Sequence, residues 1–436
     1  MKKSKYTIFI PVGSRSILFN CRTDELIQVE KRLSDLYQKN ANDLKVIKDV
    51  APEFYTYLFD KGFIVENDID EPQLILNNWK KEDELGTELG ITINPTMSCN
   101  LRCWYCYEEH RESTFMNHTI FEAIIKYLHN QVKSKEYKHI NISFFGGEPL
   151  LSFEDTVKPL MKAAKTMESK DVCFSWHFTT NATLLTQEIA RWLKPFNPSF
   201  QITIDGDEKI HNMVKKPIDG MKTYRLTLEH IQMLLDMQLK VGIRFNYTAK
   251  TIERFIDVLS DIKTFTVEEK KRCNVSFHRI WQDNKVPYAE VKKVLLPIEE
   301  AFRKEGFFVI SETSRQVGRC YGDVENSVVI NYNGQIYKCT AREFDEEHSE
   351  GLLQPDGMIA WNERHVDRLS VRYGNKTCRQ CILFFLCHGG CSQNKLESLN
   401  RNGCIRGYSE KEKTDYINQR IKDIYLEQSR KEEKKL

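Results

Sequence analysis

The sequence predicts an α/β protein: a partial (β/α)6 TIM-like barrel, preceded by a winged-helix-like domain and followed by a cysteine-rich one. Three observations carry that expectation. From Gly90 to about residue 308, strand-like and amphipathic helical stretches alternate six times. A hairpin-and-helix pattern stands before them, and a run dense in cysteine comes after. A chain of 436 residues has room for all three, at roughly 150 residues per domain.

Residues 1–85 read as the first domain. Residues 6–12 and 16–20 pair as a hairpin around Gly13-Ser14-Arg15, helices are predicted over 24–38 and 43–61, and a strand over 62–65. Residues 66–88, rich in acids and amides, read as a linker. The barrel occupies 90–308, with strands predicted at 91–95, 140–145, 173–179, 201–204, 241–247 and 274–280. Helical stretches follow most of them, at 121–132, 156–167, 226–237, 252–262 and 290–302. In such folds the chemistry sits on loops at the strand C-terminal ends. Residues 309–408 form the cysteine-rich domain, opening with a hairpin whose turn is Asn333-Gly334. Residues 409–436 form a charged terminal helix with one docked stripe, Ile417, Ile421 and Ile424.

Composition excludes several classes. Hydrophobic residues are 41% and charged residues 29%, and 64 basic against 62 acidic side chains call for neither nucleic acid nor an anionic membrane as partner. No apolar run approaches the roughly 18 residues of a membrane span. The apolar run after Met1-Lys2-Lys3-Ser4-Lys5 is too short for a signal peptide, so a cytoplasmic protein is expected. In that reducing compartment, thirteen cysteines point to ligands more than to disulfides. They are clustered, three within residues 99–106 and five within 378–404.

The first cluster, Cys99-x3-Cys103-x2-Cys106, follows directly on the first barrel strand. Three thiolates on one short loop bind three irons of a cubane and leave the fourth iron open to a small molecule. Zinc is the rival metal, with His110 available as a fourth ligand. The loop resembles the cluster motif of the radical S-adenosylmethionine (SAM) superfamily, in which the open iron chelates the methionine moiety. The resemblance implies an adenine-side position for Tyr105 and a methionine-binding role for Gly146, Gly147 and Glu148 in Phe145-Gly146-Gly147-Glu148-Pro149. Thr180 and Asn181 match the family's turn after the third strand, with Ala182 where the family has glycine, and Asp205 matches its Ser-Ile-Asp-Gly. Arg244 and Asn246, on one face of the fifth strand, are weaker candidates. For each of these strand-end residues, capping of the next helix is the alternative.

The remaining pattern, Cys320, Cys339, Cys378, Cys381, Cys387, Cys391 and Cys404, is similar to the SPASM motif. That likeness implies one auxiliary cluster on Cys378, Cys381, Cys387 and Cys404, and a second on Cys320, Cys339 and Cys391. Where some members carry an eighth cysteine this chain has Ser314. Cys21, Cys173 and Cys273 are left over and are expected to be small buried hydrophobes. The implied cofactors are three [4Fe–4S] clusters and S-adenosyl-L-methionine. The implied activity is a peptide maturase that abstracts hydrogen from a ribosomally made precursor and forms a thioether or C–C crosslink. Its partners would be that precursor, whose leader adds a strand to the N-terminal domain, and reduced flavodoxin or ferredoxin as electron donor. No residue is singled out for the substrate step. The alternative is an anaerobic sulfatase-maturing enzyme, against which stand Thr340 in place of that group's Asp and the long N-terminal domain. A non-catalytic zinc or iron–sulfur scaffold is the remote one.

Overall fold

The computed structural model describes residues 1–40, 43–108, 112–134, 137–217, 220–310 and 319–433. The chain divides into two compact units, one of Gly86–Ile310 with Tyr321–His365, the other of Met1–Leu85 with Arg319, Cys320 and the chain from Val366 onward. His110 and Ser314 lie outside the described residues.

The larger unit is built on one sheet. Strands β1 (Glu88–Asn94), β2 (His139–Phe144), β3 (Cys173–Thr180), β4 (Ser199–Ile204), β5 (Lys240–Tyr247) and β6 (Cys273–Arg279) pair in that order, all parallel. Helices such as His118–Ser134, Lys158–Thr166, Gln187–Leu193, Tyr224–Asp236 and Phe255–Ile262 connect them. The six-strand expectation holds, and its cause is visible in strict alternation. On β3, Phe174, Trp176 and Phe178 are buried while Ser175, His177 and Thr179 are half-buried on the other face. The apolar face lies under the helices, where Phe178 stacks between Phe144 at 5.0 Å and Phe200 at 5.4 Å. The concave face keeps polar side chains.

Four features differ from expectation or extend it. A seventh parallel strand, β7 (Phe308–Ile310), adds beyond β6. Its three residues are too few for periodicity to reveal. On the opposite edge β8 (Ser327–Asn331) pairs parallel with β1, and β9 (Gln335–Tyr337), β10 (Gly351–Leu353) and β11 (Ile359–Trp361) continue antiparallel, giving eleven strands. The Asn333-Gly334 hairpin is therefore part of this sheet, with Gly334 at φ +83°. The cysteine-rich stretch is shared between the units: Tyr321–His365 completes the β1 edge, and the chain from Val366 goes with the N-terminal residues. Cys173 is exposed, not buried, because it opens β3 at the sheet's end. Cys21 and Cys273 are buried as expected.

In the smaller unit Thr7–Val12, Arg15–Asn20 and Glu25–Glu30 form an antiparallel sheet in that order, and Lys2–Lys3 pairs with Ile64–Val65. The helix expected over 24–38 is half strand. Leu26, Ile27 and Val29 register against Arg15–Asn20, and the helix starts only at Lys31–Lys39, so strand pairing overrides local propensity. The helix expected over 43–61 breaks at Ala51 into Lys45–Val50 and Pro52–Asp60, since a residue before proline avoids the helical region. The expected linker holds a helix, Glu71–Leu85, whose Ile75, Leu76 and Trp79 are buried with Tyr6, Phe384, Ile417, Ile421 and Ile424. The three isoleucines dock the helix Glu410–Glu433 as expected. Asp83 of the former helix binds both Arg319 (2.8 and 2.9 Å) and Arg372 (3.2 Å). Among the described residues no helix is long and apolar enough to cross a membrane.

Candidate active site

The concave face of the sheet encloses a cavity of about 610 Å³. Its walls are Thr92, Asn141, Ser143, His177, Thr179, Gln201, Thr203, Arg244 and Asn246 from the strands, and its mouth carries Cys99, Cys103 and Cys106. Residues 95–106 leave β1 and fold back over the strand ends, so the three cysteines meet the polar lumen. Among the described residues no three His, Cys, Asp or Glu side chains converge tightly enough to grip a single metal ion. Burial pushes the thiols of Cys99 and Cys106 up to about 12. Left bare they stay protonated at neutral pH, and coordination to iron is what makes such groups thiolates.

The end of β2 is pressed against this loop. A Cβ on Gly147 would stand 2.2 Å from the Ser98 carbonyl oxygen, and one on Gly146, at φ +100°, 2.4 Å from that of Thr96. The contact is hydrogen-bonded: Gly147 N–H donates to Thr96 O at 3.1 Å and Glu148 N–H to Ser98 O at 2.9 Å. Only glycine lets the two backbones meet so closely.

Tyr105 is fixed from three sides. Its hydroxyl donates to Asp205 Oδ1 at 2.6 Å and accepts from Asn246 Nδ2 at 3.0 Å, while Gln282 Nε2 donates to its carbonyl at 3.0 Å. Asn181 grips the other end of the loop, its Nδ2 donating to Asn100 Oδ1 at 2.9 Å and lying 3.9 Å from Cys99 Sγ. Behind Tyr105 lies a charged nest. Burial drives the Asp205 carboxyl up, opposed by Lys215, Tyr105 and Arg244. Burial lowers Lys215, but Cys103, Tyr105, Asp205 and Cys99 outweigh it and hold the ammonium well above its usual value. Lys215 Nζ sits 3.8 Å from Asp205 Oδ2, and His211 is kept neutral by burial, at about 3.

A family model, the radical SAM superfamily, matches residues 93–262, which span β1 to the helix after β5. The chain carries a radical SAM domain. It is similar to the radical SAM cyclopropyl synthase TigE of Paramaledivibacter caminithermalis, 23% identical over 84% of this chain and 81% of that one. It is also similar to the cysteine-type anaerobic sulfatase-maturating enzyme of Clostridium perfringens, 21% identical over 70% of this chain and 88% of the other. In fold it resembles Streptococcus suis SuiB bound to precursor peptide SuiA, with a TM-score of 0.54 at 15% identity, covering 93% of this chain and all of that one. Radical SAM enzymes bind SAM and a [4Fe–4S] cluster, and the Cys99, Cys103 and Cys106 loop with its open cavity is the part of this chain that fits them.

Of the residues the sequence singled out for the radical SAM cofactor, Tyr105, Gly146, Gly147, Thr180 and Asn181 line the cavity, as do Arg244 and Asn246. Glu148 and Asp205 do not line it. Glu148 is fully buried, its carboxylate accepting from Leu150 N (3.0 Å), Thr180 Oγ1 (2.8 Å) and Asn181 N (2.8 Å), so it ties the β2 and β3 ends together. None of Thr180, Asn181 or Asp205 caps the following helix. Thr186 and Asp207 do that. Sequence reasoning missed Lys215, His211, Gln282 and the aromatic rim of Tyr107 stacked on Trp281 at 6.0 Å. Glu108, to which sequence reasoning gave no role, is a cavity-lining carboxyl that burial raises to about 8. None belongs to a motif. The nearest signal was the chain entering the cavity after Cys106.

In the smaller unit Cys378, Cys381, Cys387 and Cys404 line a second cavity, of about 230 Å³. No carboxylate lines it, whereas Arg406 and Lys413 do. A soft, all-sulfur donor set met only by cations fits an anionic iron–sulfur cluster. Cys320 and Cys391 belong to the smaller unit and Cys339 to the larger.

Proposed function

We propose that this radical SAM enzyme is a maturase of a ribosomally made precursor peptide, installing a thioether or C–C crosslink, with two auxiliary [4Fe–4S] clusters besides the SAM-cleaving one. The observation that carries the reading is the Cys99, Cys103 and Cys106 loop, pinned by Gly146-Gly147 over an open polar lumen. When bound, the cluster and SAM supply a 5′-deoxyadenosyl radical that takes a hydrogen atom from the substrate. The chain's own residues orient and enclose. Gly146 and Gly147 offer backbone to the methionine end, and Glu148 holds that edge from behind. Tyr105, locked by Asp205 and Asn246, borders the adenine end, with Thr180 and Asn181 beside the loop. SAM and substrate would meet the polar walls of this cavity.

Peptide substrates are supported by two features. The N-terminal sheet ends in strands Thr7–Val12 and Glu25–Glu30, each with one edge lacking a strand neighbour in that sheet, a surface to which a leader can add. SuiB, whose fold this chain shares along 93% of its length, binds precursor peptide SuiA. Cys378, Cys381, Cys387 and Cys404 would hold one auxiliary cluster, and Cys320, Cys339 and Cys391 the other. Reduced flavodoxin or ferredoxin would supply the electron, and the reaction would run in the cytoplasm.

A second reading, anaerobic sulfatase maturation, is favoured by the Clostridium perfringens relative. Against it stands Thr340, whose carbonyl accepts from Tyr107 Oη at 2.5 Å and whose hydroxyl meets Tyr321 Oη at 2.6 Å at the cavity wall, where that group has an Asp placed as a base.

The test is reconstitution without oxygen, reduction with dithionite and assay for 5′-deoxyadenosine. Incubation with its precursor peptide should remove two hydrogens from that peptide, read by mass spectrometry. Conversion of a sulfatase Cys or Ser peptide to formylglycine would favour the second reading. A colourless zinc protein whose C99A/C103A/C106A variant behaves like wild type would end both.

A further inference from the structure

The chain from Cys378 to Cys404 folds as short helices Lys376–Gln380, Phe384–Cys387 and Ser392–Glu397, which bring four sulfurs to one small cavity. Lys395, on the third helix, is only 2% exposed, and its Nζ lies 3.4 Å from Cys378 Sγ. Lysine is almost never so buried unless an anion pairs with it. Among the described residues no carboxylate comes within ion-pair distance of Lys395, and the Cys378 sulfur is its hydrogen-bond partner. A neutral thiol is a poor partner for a desolvated ammonium, whereas a cluster-bound thiolate carries the charge it needs. Gly389 makes the room, since a Cβ there would stand 3.3 Å from that Nζ and 3.9 Å from the same sulfur. Arg406 lines the same cavity, where its positive charge acts on Cys387.

We infer that Lys395 and Arg406 are positioning residues for the four-cysteine centre that raise its reduction potential and so bias it toward the reduced form. The inference rests on the reading above that these cysteines hold a [4Fe–4S] cluster. Reduction places one more electron on an already anionic centre. Two cations fixed against its sulfurs, in surroundings with no lining carboxylate, stabilise the reduced form more than the oxidised one.

The experiment is a redox titration of the anaerobically reconstituted full chain, reduced with dithionite and followed by electron paramagnetic resonance. The signal of this centre is the component that disappears in Cys404→Ser. At a fixed solution potential, Lys395→Met is expected to lower its reduced-to-oxidised ratio about tenfold, equal to about 59 mV for a one-electron couple. Lys395→Arg, which keeps the charge, should restore the ratio to within about threefold, and Arg406→Gln should shift it in the same direction as Lys395→Met. A shift below about twofold in both neutral variants, with iron content unchanged, overturns the inference. If Lys395→Met loses its iron, Arg406→Gln and Lys395→Arg decide by the same criterion. If Cys404→Ser removes no component and no iron, the cluster assignment itself falls, which is a different failure.

Discussion

Replacing Gly147 by alanine tests the close approach on which the site depends. The new Cβ would meet Ser98 O at 2.2 Å and Met97 O at 2.6 Å, both backbone atoms, so no side chain can swing aside. Reaching even a tight contact of 3.0–3.4 Å requires the loop to retreat by about 1 Å. That movement breaks the Gly147-to-Thr96 and Glu148-to-Ser98 hydrogen bonds, at about 1 kcal/mol each. Overpacking adds about 1–3 kcal/mol, for a local cost of about 3–5 kcal/mol. The sheet behind is anchored by other contacts, so circular dichroism should be unchanged. A displacement of about 1 Å at cluster ligands should lower 5′-deoxyadenosine formation by about 10²-fold and reduce iron retained at the Cys99 loop. Gly13→Ala is the control. Unlike Gly147, it has a left-handed backbone, at φ +57°, but nothing lies within 4 Å of its Cβ, so it should cost about 1 kcal/mol from the backbone alone and leave the rate alone. A Gly147→Ala enzyme with wild-type iron and wild-type rate would refute the reasoning.

Tyr105→Phe deletes the donor to Asp205 and leaves that buried carboxylate without its 2.6 Å partner, a loss of about 1–3 kcal/mol in denaturant unfolding. It should raise KM for SAM more than it lowers kcat. Asp83→Ala strips the shared partner from Arg319 and Arg372, and should destabilise the smaller unit by about 3–5 kcal/mol, readable as a lower urea midpoint. His211 titrates at about 3 in the fold against about 6.5 unfolded, so its stabilising share is complete above pH 6.5 and is lost as pH falls toward 3. By pH 5 that loss is about 2 kcal/mol, and His211→Asn should flatten the stability–pH curve by this amount; an unchanged slope would refute the assignment.

The parts legible in the sequence were those where local pattern and final environment agree. The six barrel strands each bury one face under helices, so their alternation survives folding. The cysteine spacing is carried by short loops that no distant contact reorganises. Glu25–Glu30 was misread because a charged, amphipathic stretch suits a helix until Arg15–Asn20 offers it a ladder. Glu71–Leu85 was passed over because its charges mask the spacing of Ile75, Leu76 and Trp79, whose partners include Phe384, Ile417, Ile421 and Ile424 from more than 300 residues away. Lys215 and Lys395 show the same limit in the site. Each reads as an ordinary surface lysine, and each becomes informative only when the fold buries it against sulfur-bearing residues.

One signal was present and can be read with better physics. A closed eight-stranded barrel fills its interior with branched apolar side chains, because nothing else occupies it. Here the strand positions facing inward are Thr92, Asn141, Ser143, His177, Thr179, Gln201, Thr203, Arg244 and Asn246. Such residues cannot pack against one another into a dry core without leaving donors and acceptors unpaired. A sheet that curls around them must therefore keep its lumen open to polar guests, and an eight-strand parallel run, β8 and β1–β7, continued at one edge by β9–β11 does so. The alternation that identifies the strands thus also states which face is empty. A cysteine loop at the mouth of that emptiness is where a charged, flexible cofactor and a peptide backbone can both be solvated by protein.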